Sequence, residues 1–188
     1  MCKGNVKSRI KTKNEVSNVN APGTKSNAPG FAFDASFEAL YCSVEVGEFT
    51  NFLTGKDHFI EQFKDIRSFI SKVSNKNFLD DLIHNGGMRH CYILQNDSEI
   101  SLIKNCIKEA IKTIKADGYD ADLFIEQNLG DERLYQIGYE GGIRYIGTYN
   151  AIRNVFRVYL IDHYHLINKN ERKTKFSRKH LKYCVMNS

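Results

Sequence analysis

GGIRYIGTYNAIRNVFRVYLIDHYHLIN, residues 141–168, reads as two strands around a short connection, and the class of fold follows from it. Successive side chains of a strand point to opposite sides, so a run from Asn154 to Leu166 divides into two rows. Phe156, Val158, Leu160, Tyr164 and Leu166 make an apolar row interrupted by Asp162. Val155, Arg157, Tyr159, Ile161, His163 and His165 make the other, in which an arginine, a tyrosine and two histidines recur at about 7 Å intervals. The preceding strand runs from Gly141 to Tyr149, with Ile143, Tyr145 and Tyr149 opposed to Arg144, Ile146 and Thr148, and Asn150 to Arg153 connects the two.

Upstream, Leu123 to Gln127 and Leu134 to Tyr139 read as further strands, and short links make them antiparallel neighbours. Before the meander lie two amphipathic helices. Thr54-Gly-Lys-Asp57 has capping-box spacing and precedes Phe59, Ile60, Phe63, Ile66, Phe69, Ile70 and Val73 at intervals of three and four. A helical turn from Asn77 to Ile83 stops at Gly86-Gly87. Asp97-Ser98, good N-cap types, open a helix to about Lys115 whose buried stripe is Ile100, Ile103, Ile107, Ala110, Ile111 and Ile114; Asp117-Gly118 ends it. Lys104, Lys108, Lys112 and Lys115 project elsewhere, as a solvated face or a basic ridge. Phe37–Val46 alternates like a strand, and Arg89–Leu94 is a short one. The expectation is an α+β domain, an antiparallel sheet ending in the C-terminal meander with two main helices on one face.

The net charge of +5 is not spread evenly. Residues before Phe31 carry Lys3, Lys7, Arg9, Lys11, Lys13 and Lys25 against Glu15 alone, and residues after Asn168 are similarly basic. The centre is acidic. Residues 1–30, rich in Lys, Asn, Ser and Gly and without apolar period, read as a disordered basic tail; residues 31–188 read as one domain ending in a basic C-terminal tail. Such ends suit RNA, DNA or an acidic partner, or are simply solvated. Five widely spaced cysteines without a CxxC pair or a signal peptide point to a reducing, cytoplasmic setting, with Cys91 and Cys106 as small hydrophobes. No apolar run has the length of a membrane span, so no membrane partner is expected.

Chemistry concentrates in the meander. Arg144, Arg157, His163 and His165 come together if it forms, and that set suits RNA cleavage. A base takes the 2′-hydroxyl proton, an acid protonates the leaving oxygen, and a cation steadies the phosphorus centre. Tyr159 would stack a base. The His-x-His spacing also suits a metal with Asp162 or His90, but Asp162 points away from both histidines in a regular strand; no metal or other cofactor is expected. Equally, the two histidines are polar residues on an exposed edge.

FRVYLIDHYHLINKNERKTKF, residues 156–176, resembles the end of RelE and HigB type toxins: an arginine-containing apolar strand, a turn, a second strand and a Lys-rich tail. That resemblance implies a small antiparallel sheet with helices packed on it and metal-free cleavage of messenger RNA, mostly on the ribosome. It implies phosphate binding by Arg157 and a substrate-binding basic tail at Lys173 or Lys175. Two functions follow as expectations. One is a metal-independent ribonuclease or ribosome-associated toxin with an antitoxin partner. The other is a non-catalytic regulator or inhibitor from a phage or mobile element that binds a protein or nucleic acid.

Overall fold

The computed structural model describes residues 31–74, 76, 78–84, 88–114, 120–138, 143–168 and 180–187. The expected tail over 1–30, the Gly86-Gly87 and Asp117-Gly118 helix stops, and Lys173 and Lys175 lie outside them.

The meander forms from β5 (Leu134–Gly138), β6 (Arg144–Asn150) and β7 (Val155–Asp162), each antiparallel to the next. β4 (Tyr92–Ile93) extends it beyond β5, and β1 (Ala32–Asp34) adds in parallel to β7, giving the order β1-β7-β6-β5-β4. The fold is therefore α+β with a mostly antiparallel sheet. A separate hairpin pairs β2 (Glu45–Val46) with β3 (Phe49–Thr50). The β6–β7 turn is fixed by its asparagines. Asn150 Oδ1 accepts the Arg153 amide at 2.9 Å, and Asn154, at φ 50°, accepts the Tyr149 hydroxyl at 2.7 Å. Asparagine tolerates that left-handed backbone better than most residues.

Helix α1 (Lys56–Val73) and helix α2 (Asp97–Ile114) form where the apolar periods place them. They do not share a face of the sheet. Phe69 and Val73 of α1 pack with Tyr135, Ile137, Tyr145, Phe156 and Val158, whereas Ile103, Cys106, Ile107 and Ile111 of α2 pack with Leu134, Ile146, Tyr159 and Leu160. The reason lies in the strands: all five residues of β5 are buried, so both faces need cover. Phe78, on a π-helical turn at Phe78–Ile83, fills the α1 side and stacks on Tyr149 with ring centroids 4.0 Å apart.

Of two segments expected as strands, Leu123–Gln127 is helical and Phe37–Val46 is helical at its start, reaching strand only in β2. Ala121–Leu129 is α3, because Asp120 accepts the amides of Asp122 and Leu123 at 2.9 and 3.0 Å and starts a helix. Phe37–Val46 begins with a 3-10 turn at Glu38–Tyr41, where Leu40 and Cys42 donate their amides to Phe37 and Ala39. The local bonds satisfy that backbone without a neighbouring strand. Caps differ too: Asn96, not Asp97 or Ser98, caps α2 by accepting the Ser98 amide at 3.0 Å, and Gly55 precedes α1 with no side-chain cap.

Candidate functional site

β7 is not a regular strand, and its irregularity places the candidate site. Ile146 pairs with Leu160 but Gly147 pairs with Val158, so Tyr159 is an extra residue at a bulge. The bulge resets the alternation. Phe156, Val158 and Ile161 face the α1 side, while Tyr159 and Leu160 both face α2 and α3. Gly147 makes this possible, because a Cβ there would collide with the Arg157 carbonyl of β7.

The histidines consequently leave the expected row. β7 ends at Asp162, whose fully buried carboxylate accepts the amides of Tyr164 at 3.1 Å and Ile167 at 2.8 Å and turns the chain. His163 then packs on α1. Its Nδ1 lies 2.8 Å from Gln62 Oε1, and it shares with Phe59, Ile66 and Ile161 a crevice of about 20 Å³, room for one water at most. Burial, aided by nearby His58, holds its pKa down at about 3, so His163 stays neutral across the physiological range. His165 adopts φ 58° and sets its ring 6.3 Å from that of His90. Arg144 is 2% exposed, paired in register with Asp162, and donates to the Ile143 carbonyl at 2.8 Å. Burial pulls its pKa down while Asp162 opposes the shift. Arg144 and His163 are thus packing groups, and neither meets Arg157.

Arg157 and Tyr159 occupy the other side, and there they meet residues that alternation alone does not bring forward. Arg157 Nε donates to Asp34 Oδ2 at 2.8 Å across the parallel β1–β7 pair. Ser36 steadies that carboxylate by donating its amide at 2.9 Å and its hydroxyl at 2.5 Å to Oδ1. Burial alone would raise the Asp34 pKa, but the Ser36 and Arg157 hydrogen bonds outweigh it and hold the carboxyl below its ordinary range. Arg157 is held more firmly charged by Asp34 and the Tyr159 hydroxyl. Its side chain is 48% exposed, so the pair adds about 0–1 kcal/mol to stability and mainly orients the guanidinium.

Beside it, Phe37 stacks on Phe124 with centroids 5.3 Å apart, and both meet Tyr159 edge-on at 5.3 and 6.1 Å. This trio walls a recess of about 280 Å³, completed by Ile111, Ile114 and Asn128. A second, polar hollow of about 730 Å³ runs from Asn128, Arg157 and Tyr159 over Gln127 and Glu132 to Asn150 and Arg153. Both hollows share Asn128, Arg157 and Tyr159, so they form one groove with an aromatic end and a polar end. Phe124 and Asn128 lie four apart on α3 and share one side of it. The lysines of α2 are committed differently: Lys108 pairs with Asp122 of α3, and Lys112 with Glu109 at 2.7 Å. Among the described residues no cluster of His, Cys, Asp and Glu is arranged to hold a metal, and no helix is long and apolar enough to cross a membrane.

No curated protein and no solved structure matches the chain. One family does, over residues 36–188, a span that takes in α1 to α3, β2 to β7 and every groove residue except Asp34; the chain belongs to the family described as Uncharacterised protein UU032.

Proposed function

We propose that the protein is a non-catalytic binding module for single-stranded RNA, and that the Arg157 groove is where the strand lies. The observation that carries this reading is the placement of one oriented guanidinium between an aromatic recess and a polar hollow. A base has a π-face that stacks on aromatic rings whatever its sequence, and a guanidinium grips phosphate with two parallel donors. The Asp34 pair is weak enough for a phosphate to compete with it. Cleavage would need a base and an acid at the same phosphate, and His163 is neutral and packed on α1, away from Arg157.

Fluorescence anisotropy with a labelled RNA octamer, in EDTA, tests the reading. Binding is expected to weaken about tenfold in each of Arg157→Ala and Phe124→Ala, in line with about 1–3 kcal/mol per stacked base, and the RNA is expected to stay intact. Unchanged affinity in both variants would remove the groove from the account. Cleavage by the wild type would restore the ribonuclease reading.

A further inference from the structure

A second feature, independent of the groove, sits where the C-terminal residues return to the body. Leu53 and Tyr183 form an antiparallel bridge, with the Leu53 amide donating to the Tyr183 carbonyl and the Tyr183 amide to the Leu53 carbonyl, both at 2.9 Å. The next residue, Cys184, places its sulfur 3.4 Å from the Ser43 amide, which it accepts. Ser43 directly follows Cys42, so the Cys184 sulfur lies against the backbone that carries the Cys42 side chain, and the Cys42 thiol itself is turned to the Ser43 carbonyl at 4.0 Å. Both are thiols, and both are buried, at 2% and 7% exposed. The other two described cysteines are committed elsewhere, Cys106 inside the α2 core and Cys91 donating to the Gly138 carbonyl at 3.5 Å.

We propose that Cys42 and Cys184 are a modification site, a thiol pair that hydrogen peroxide converts to a disulfide clasping the C-terminal segment onto the 3-10 turn. The Cys184 thiolate, nearer the surface, attacks one peroxide oxygen. The O–O bond breaks, the departing hydroxide takes up the proton that the thiol gave up and leaves as water, and a sulfenic acid remains on Cys184. The Cys42 sulfur then attacks the Cys184 sulfur, the S–O bond breaks, and a second water leaves as the disulfide closes. Two thiols lose two electrons and one peroxide is reduced to two waters. Both sulfurs are buried, so the pair favours a small, uncharged oxidant over bulky reagents, and burial together with the neighbouring Cys184 raises the pKa of the Cys42 thiol.

The full-length wild-type chain, treated with hydrogen peroxide and then blocked with an alkylating reagent in denaturant, gives the decisive reading by peptide mass mapping without reductant. The expected product is a peptide pair joining Cys42 to Cys184, reversed by a thiol reductant, with the melting temperature raised by about 5–10 °C while it persists. Cys184→Ser is expected to abolish both changes and Cys91→Ser to leave them intact. Absence of that peptide pair, linkage through other cysteines, or linkage between chains would overturn the proposal.

Discussion

His163 carries a cost that depends on pH. In the folded chain its pKa lies near 3, against about 6.5 for an unperturbed imidazole, so between these values the unfolded state binds a proton that the folded state refuses. Stability therefore rises with pH across that window and is lost as pH falls, by up to about 1.4 kcal/mol per unit for this one group. Above about pH 6.5 the contribution is complete and flat. His163→Gln keeps a polar group opposite Gln62 and removes the titration, so urea midpoints measured at pH 7, 5.5 and 4.5 are expected to fall less steeply for the variant. Equal slopes would show that His163 is not held neutral in the folded chain. Asp162 and Arg144 act at the same end of the sheet as fixed packing groups: the carboxylate is bound by backbone amides, which is why its substitution would unfold the turn before it altered any chemistry.

At the scale of elements, the β6–β7 pair determines whether a groove exists at all. Gly147→Ala would push a methyl group into the Arg157 carbonyl and against the Phe156 ring, which stands 3.1 Å from the added carbon. The strands must separate or the bulge must move, at an expected cost of about 3 kcal/mol or more, read from urea unfolding. A loss below 1 kcal/mol would mean that the bulge is soft and that Tyr159 is not held by it. The same bulge explains what pattern reading misses in this strand. Alternation carries Phe156 and Val158 correctly to one side, but one extra residue reverses every assignment after it, and the row of Arg157, His163 and His165 dissolves. The long helices are written plainly, because their apolar residues recur at three and four over many turns. Helix α3 is not: Leu123, Phe124 and Ile125 are contiguous, which fits a buried strand as well as a helix, and only the Asp120 cap distinguishes them. Asp34 and Phe37 reach the groove through the parallel β1–β7 pairing and a 3-10 turn; no period marks Asp34, and the alternation that opens at Phe37 points to a strand instead. Arg157 and Tyr159, by contrast, are named correctly from the sequence as groups on one side of a strand.

For the whole molecule, two cores on either side of one sheet leave the groove at the edge where β1, β7 and α3 meet. The groove's own charges nearly balance, with Asp34, Glu38 and Glu132 against Arg153 and Arg157. Stacking and one oriented guanidinium, rather than a broad positive field, would therefore set its affinity, while the basic ends of the chain would add attraction that fades with salt. The two contributions separate by where the RNA lies. Photo-crosslinking of a 4-thiouridine-bearing octamer to the full-length chain, followed by peptide mass mapping, locates it directly. The account predicts adducts on peptides containing Phe37, Phe124 or Tyr159, lost in Arg157→Ala; adducts confined to residues 1–30 or 169–188 would contradict it.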